Sequence, residues 1–386
     1  MHDKTRLFKL KLTNLIFSLL VIVMLFCDCT RQVKTVELER SLVKENHLLL
    51  AQADTIKKYF DPIPNQVQMA IAIIKGDSVN FVGIKRSENV LRFINNKDSV
   101  FEIGSVTKVF TAALLAHFVI EGRLHLEDSL SSFFPFRLYK YPKDGKEILL
   151  KNLANHTSGL PSMPKSFILH SYIHFNWDTP YKDFDTNKLL NYLKYDCELD
   201  FTPGERYQYS NLGFGVLGYI LVQQSGKSYE DLLREIIFKP LGMTSSTTIY
   251  SNIQSKLVHG IYCNGSPAPN WNMNAMVSAG GIKTSATDLV KFIQSHFVPT
   301  DSMFPMICRI SHCIDKNNYI GLGWDIQRKQ NGVLWFIRPG GTRGYESCVI
   351  MDTMNRKAVI VLSNLSSIEE ISINVEYICS RLMETL

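Results

Sequence analysis

Strand-like stretches stand at both ends of this chain and helix-like ones fill its middle. A single sheet must therefore be closed from two widely separated segments, with a helical region inserted between them. At the front, AIAIIKGDSVNFVGIKR (70–86) reads as two strands joined at Gly76-Asp77. At the back, YIGLGWDI (319–326), LWFIRPGGTRGYESCVIMD (334–352) and KAVIVLSN (357–364) read as antiparallel strands, and a last helix is expected from about Ile368 to the end. FEIGSVTKVFTAALLAHFVIEG (101–122) reads as a strand running into a helix, with Ser105 as the expected N-cap and Gly122 as the expected C-cap. A short helix is expected in ILLKNLANHTSGLP (148–161), a glycine-studded one in FTPGERYQYSNLGFGVLGYILVQQSG (201–226), another in YEDLLREIIFKPLGM (229–243), and one capped by Ser285 or Thr287 after a Gly-Gly turn. Residues 162–200 are aromatic-rich and carry no regular pattern. The expected class is α+β, with the sheet part at about 62–130 and 276–386 and the helical part at about 131–275.

The first residues carry a different signal. Lys4, Arg6, Lys9 and Lys11 form a basic run, and LIFSLLVIVMLF (15–26) is a 12-residue apolar core ahead of Cys27 and Cys29. That core is short for a membrane-spanning helix and right for a signal peptide. A cysteine just behind it suggests a bacterial lipoprotein, although Met24, Leu25 and Phe26 are bulkier than cleavage usually prefers. Residues 1–29 are accordingly expected to be a signal peptide or lipid anchor, and 30–61 a helical stalk. Both point to the cell envelope, in or facing the periplasm, with the membrane engaged through the N-terminus.

Of the net charge of +6, residues 1–30 supply +2, and no basic run interleaved with aromatics follows. Nucleic-acid binding is not expected. The six remaining cysteines, Cys197, Cys263, Cys308, Cys313, Cys348 and Cys379, show no zinc-ligand spacing. An oxidising compartment would permit disulfides, but a chain with this much core does not require them, and free buried thiols are expected.

Three small constellations carry chemistry. Ser-x-x-Lys occurs at Ser41, Ser105 and Ser162, so spacing alone decides nothing. Ser41 precedes any core, and Pro164 interrupts the turn after Ser162. Only Ser105 sits between a strand and a long apolar helix, where one turn brings Lys108 onto its face. A lysine in the first helical turn is unfavourable by a few tenths to about 1 kcal/mol, because it meets the positive end of the helix dipole. The same dipole lowers its pKa, which would suit Lys108 to act as a neutral base beside a nucleophilic serine. Tyr-x-Asn also occurs three times, at Tyr209, Tyr250 and Tyr262; Tyr209 and Asn211 precede the glycine-studded helix. A tyrosine near cations can relay protons, and an asparagine two residues on can point its amide into the same cleft. The third is RPGGTRGY (338–345), where Gly340 and Gly341 allow close backbone approach and Arg338 and Arg343 could hold an anion. An edge strand bearing solvated arginines is its plainer reading.

In this order, Ser-x-x-Lys, Tyr-x-Asn and basic-x-Gly resemble the serine β-lactamase and penicillin-binding protein superfamily, in its class C β-lactamase and D-alanyl-D-alanine carboxypeptidase branch. NHTSGLP (155–161), FTPGERYQYSN (201–211), KPLGM (239–243) and AGGIKTSATDL (279–289) carry the resemblance too, from about residue 62 to the end. It implies a β-lactamase/transpeptidase-like fold and an acyl-enzyme on Ser105, with proton transfer through Lys108 and Tyr209. It also implies substrate contact by Asn211 and an oxyanion hole from the backbone N–H groups of Ser105 and Gly341. The substrate class would be a D-Ala-D-Ala-type peptide or a β-lactam, with an arginine at the substrate carboxylate and no metal or organic cofactor. One departure stands out: where the family places Lys-Thr-Gly or His-x-Gly, this chain has Arg338-Pro339-Gly340. An esterase of the same family, or a non-catalytic sensor or scaffold, are the alternatives.

Overall fold

The computed structural model describes residues 47–60, 63–164, 178–300, 302–366 and 374–386. The expected signal or anchor at 1–29, the first part of the expected stalk and the start of the last helix lie outside the described residues. No helix among the described residues is long and apolar enough to cross a membrane.

Among the described residues, one sheet of nine strands is closed from both ends of the chain. Its N-terminal strands are β1 (Gln68–Lys75), β2 (Ser78–Ser87) and β3 (Val90–Ile94). The short β4 (Val100–Glu102) and β5 (Lys283–Ser285) pair apart from it. The C-terminal strands are β6 (His312–Cys313), β7 (Asn318–Ile320), β8 (Asp325–Arg328), β9 (Leu334–Gly341), β10 (Glu346–Asp352) and β11 (Lys357–Ser363). The order is β3-β2-β1-β11-β10-β9-β8-β7-β6, antiparallel throughout. The seam between the two ends is β1 on β11, in register from Met69 opposite Ser363 to Lys75 opposite Lys357. Lys75 and Ser78 face each other across Gly76-Asp77, the hairpin the sequence signals.

The helices in chain order are α1 (Leu50–Phe60), α2 (Thr107–Ile120), α3 (Leu150–Ala154), α4 (Thr186–Tyr195), α5 (Asn211–Ser225), α6 (Tyr229–Leu233), α7 (Val277–Gly280), α8 (Ala286–Gln294), α9 (Met303–Cys308) and α10 (Val375–Met383). β1 is apolar at almost every position because both faces of the sheet are covered. Ala70, Ala72 and Ile74 join Ile360 and Leu362 in the core shared with α2 and α8. Met69, Ile71 and Ile73 join Val359 and Val361 in a second core, closed by Ile56, Tyr59 and Phe60 of α1 and by Ile378 and Leu382 of α10. Each large aliphatic side chain buried this way contributes about 1.5–3 kcal/mol. α1 comes from the segment expected as a stalk, and it lies packed on the sheet, so the folded body begins before residue 62.

α2 is buried nearly all round, as an apolar helix without a polar face must be. α5 crosses close beside α7: a β-carbon on Gly218 would lie 2.1 Å from Ser278 Oγ, and one on Gly215 2.6 Å from Met276 Sδ. The glycines of α5 therefore bring the Ala279 carbonyl within reach of α2, which matters for the lysine described next.

Candidate active site

Ser105 lies in a single 3₁₀ turn, Gly104–Val106, between β4 and α2. It is not the N-cap that the sequence suggests: α2 begins at Thr107 and has no side-chain cap. The hydroxyl is used elsewhere. Ser105 Oγ lies 2.6 Å from Tyr209 Oη and accepts from or donates to Lys108 Nζ at 3.0 Å. Lys108 Nζ also donates to Asn211 Oδ1 and to the Ala279 carbonyl, each at 2.7 Å.

This geometry fits a lysine in either charge state. Two of its partners are carbonyl-type oxygens, which can only accept, so two N–H bonds are fixed. The remaining position faces a hydroxyl, which can accept from an ammonium or donate to an amine lone pair. Burial pushes Lys108 down to about 8; Tyr209 pulls the other way and Arg338 adds to the lowering. Desolvation is thus the chief cause, where the sequence pointed to the helix dipole. Burial raises Tyr209, but Lys108 and Arg338 outweigh it and leave the phenol below its ordinary value. Lys108 and Tyr209 can therefore exchange a proton with Ser105 near neutral pH at modest cost.

Tyr209 is held by the loop that carries NHTSGLP. The Gln208 N–H donates to the His156 carbonyl at 2.8 Å, the Ser210 N–H to His156 Nδ1 at 3.1 Å, and Ser210 Oγ to the Pro161 carbonyl at 2.8 Å. Ser210 Oγ also caps α5 by accepting from the Gly213 N–H, which starts the helix at Asn211. The His156 ring lies 4.6 Å from the Tyr209 ring. Burial first, then Arg338 and Lys108, keep this imidazole well below its ordinary pKa and neutral. Because Nδ1 accepts, the proton of the neutral ring is on Nε2.

The two expected oxyanion donors come together because backbones touch. A β-carbon on Gly340 would lie 2.2 Å from the Ile103 carbonyl oxygen and 2.9 Å from the Ser105 nitrogen. Gly104, at φ +46, has the same problem with the Gly341 nitrogen at 2.5 Å. Only glycine lets the serine turn lie directly on β9, with the backbone of Gly104 and Ser105 against that of Gly340 and Gly341. Gly340→Ala is expected to force the turn off the strand. Loss of one oxyanion donor costs roughly 10²–10³-fold in rate, so an acylation rate constant within threefold of wild type would contradict the arrangement.

The third motif is not an edge strand with solvated arginines. β9 lies between β8 and β10, and Arg338 is buried. Its Nη1 donates to Asp325 Oδ2 at 3.1 Å, its Nε to the Ser105 carbonyl at 3.3 Å, and its guanidinium lies 5.2 Å from the centre of the Tyr209 ring. Two of the five N–H donors of the guanidinium are thus engaged within the protein. Arg343 stands apart from the serine, where it donates to Asp178 Oδ1 at 2.9 Å and to Tyr262 Oη at 3.4 Å. Asn211 spends its oxygen on Lys108 and turns its nitrogen to Tyr181 Oη at 3.4 Å.

A cavity of about 390 Å³ opens beside Ser105 and Tyr209, and Arg338, Pro339, Gly340 and Gly341 line it. Asp325, Glu346 and Glu376 line it as well, and sequence reasoning assigned them nothing. His156 and the Ala279 carbonyl were missed too. Signals existed for two: His156 lies in the NHTSGLP motif, and Glu346 is a charge at the head of the run SCVIM. Asp325 and Glu376 reach the cavity only through the sheet register and the packing of α10. No disulfide joins the six cysteines of the described residues.

The family described as Beta-lactamase matches residues 57–372. The chain is 31% identical over 249 residues to the D-alanyl-D-alanine-carboxypeptidase/endopeptidase AmpH of Escherichia coli (strain K12), covering 63% of this chain and 62% of that one. It therefore spans less than two thirds of that relative's length. It is 25% identical over 277 residues to a beta-lactamase of Pseudomonas fluorescens, with 69% and 72% covered. In fold it is similar to a beta-lactamase/D-alanine carboxypeptidase from Pseudomonas syringae, at a TM-score of 0.69 and 18% identity over 86% of this chain and 98% of that one.

Proposed function

The chain belongs to the β-lactamase family of serine hydrolases, and from that premise we propose that Ser105 attacks an amide, ester or lactam carbonyl to form an acyl-enzyme that water resolves. The observation that carries this is the Ser105 hydroxyl held between Lys108 Nζ at 3.0 Å and Tyr209 Oη at 2.6 Å. As Oγ bonds to the carbonyl carbon, its proton passes to the Lys108–Tyr209 pair. The carbonyl oxygen, now an oxyanion, takes the N–H groups of Ser105 and Gly341. The proton then goes to the departing amine or alkoxide, and the same pair activates the water that frees Ser105. Asn211 and the Ala279 carbonyl position the lysine, and His156 positions the tyrosine.

The substrate we assign is a D-Ala-D-Ala-type peptide, named for the Escherichia coli relative, or a β-lactam, named for the Pseudomonas fluorescens one. One observation favours an esterase as the second reading: Arg338 is paired with Asp325, which weakens its pull on a substrate carboxylate. A time course of intact mass with a penicillin, run beside turnover of a neutral aryl ester, separates the two. A penicillin adduct on Ser105 supports the peptide class; fast ester turnover without any adduct supports the esterase; neither would remove both. We place the enzyme in the cell envelope on the basic, apolar and cysteine pattern of residues 1–29 alone. Cys27→Ser together with Cys29→Ser is expected to shift it from the membrane to the soluble fraction.

A further inference from the structure

The strands β1, β9, β10 and β11 run between two ends of the sheet. At one end Gly341 stands opposite Glu346, and the Ser105 turn lies on it. At the other, roughly 20–25 Å away along these strands, Lys357 stands opposite both Asp352 and Lys75. Three bonds gather further chain at this second end. Asn80 Nδ2, just past the β1–β2 turn, donates to the His47 carbonyl at 3.3 Å. The Gly76 N–H donates to the Arg356 carbonyl at 2.7 Å, and Gln52 Nε2 to Thr385 Oγ1 at 2.8 Å. The start of α1, two hairpin turns and the end of α10 therefore share one face, and the described chain begins there, at His47.

Apolar side chains stand out from this face. Leu49 and Leu50 are 55% and 62% exposed, and Met354, in the β10–β11 turn, is 84% exposed. Singly exposed apolar residues are ordinary, but these three meet where the N-terminal segment joins the body. The acids beside them are engaged: Asp77 pairs with Arg356, Glu384 with Arg381, and Asp352 accepts from Asn355 Nδ2 at 2.6 Å. Lys75, exposed at the end of β1, and Lys329, over the Trp335 ring, form no ion pair among the described residues. We propose that this face lies on a bilayer surface bearing anionic headgroups, with Leu49, Leu50 and Met354 in the interfacial layer and Ser105 opening away from it. The inference rests on the envelope placement proposed from residues 1–29. Residues 30–46 alone separate that expected anchor from His47, so the tether meets this end of the sheet first. Apolar side chains bury their area in the headgroup region, and unpaired lysines are drawn to anionic lipid. A second copy docked here would set the same lysines against each other, which an anionic lipid surface does not.

The test uses the full-length protein in vesicles of phosphatidylethanolamine and phosphatidylglycerol. The photo-crosslinking residue p-benzoylphenylalanine replaces Leu50, Met354 or Tyr377 in three separate proteins. Tyr377 marks the catalytic end: it is 49% exposed in the first turn of α10, next to the Glu376 that lines the cavity beside Ser105. All three side chains are exposed, so the fold should tolerate the change, and a melting curve checks that it does. Flotation with the vesicles is measured first, and lipid adducts are then counted by intact mass after irradiation. Adducts at positions 50 and 354 are expected to exceed those at 377 roughly tenfold, because the interfacial layer is only about 5–10 Å deep. The excess should shrink when phosphatidylcholine replaces phosphatidylglycerol; an excess unchanged by that exchange would overturn the assignment of anionic headgroups. Co-flotation with equal lipid adducts, or none, at the three positions would overturn the face and leave the anchor standing. Crosslinks at 50 and 354 that join two protein chains would overturn it as well, making the face a contact between copies. A protein that does not float would remove the anchor, and the face, which presumes it, would fall too.

Discussion

Ser105→Ala is expected to give no covalent adduct at any time with a penicillin or an ester and to lower turnover by about 10⁴–10⁶-fold. The size follows from what the hydroxyl does. It is the atom proposed to bond the substrate carbonyl, and without it the paired amides of Ser105 and Gly341 can still polarise that carbonyl but have no nucleophile to assist. The fold should survive, because the 3₁₀ turn is fixed by backbone contact between Gly104 and Gly341 and not by the side chain. Lys108 keeps two of its three partners in the variant. A melting temperature within a few degrees of wild type, alongside the lost adduct, is the expected pair of results. Unchanged turnover in Ser105→Ala would place the chemistry on another residue.

Lys108→Arg is expected to cost about 10²–10⁴-fold in acylation, the usual worth of a positioned general base. A guanidinium cannot give up its proton at any working pH. The wild-type pH dependence gives the sign. Lys108 titrates at about 8, lowered chiefly by burial, so the amine form increases as pH rises through 8 and the acylation rate should rise with it. A rate that falls across the same interval would show that the ammonium is the required form. The larger arginine could disturb the packing of α2 against α5, so Lys108→Met serves as a second variant of similar shape. It should lose the pH step along with the rate. Its fold should weaken as well, because Asn211 Oδ1 and the Ala279 carbonyl lose their donor, and a buried acceptor left unsatisfied costs about 1–3 kcal/mol.

The two residues reach their positions by different routes, and that difference marks what can be read from the chain. Ser105 and Lys108 lie three residues apart where a turn becomes a helix, so local geometry alone puts the amine on the hydroxyl. Tyr209 could be chosen from three Tyr-x-Asn matches because Gly213, Gly215 and Gly218 follow it, and such a helix expects a close neighbour. The cap at Ser105 was misjudged for a physical reason. A serine before an apolar helix suits a cap and a nucleophile equally, and only the contact with β9 selects the 3₁₀ turn. The segment of α1 was read as a stalk for a similar reason: Ile56, Tyr59 and Phe60 bury a face only once the far side of the sheet exists to receive them.

The sequence by itself determined the α+β class, the closing of one sheet from both ends, the serine–lysine turn and the glycines beside it. Each of these is written in local spacing, in alternation, or in a residue type that a backbone contact demands. Tertiary structure alone decided the charge of the site. Asp325 meets Arg338 because the β8–β9 register places Asp325 opposite Ile337, next to the arginine. Glu346 faces the cavity because it stands opposite Gly341, and Glu376 joins it only when α10 folds back over the sheet. Charges are recognised in a sequence one at a time, but whether they cancel depends on distances between strands and helices that no local pattern contains.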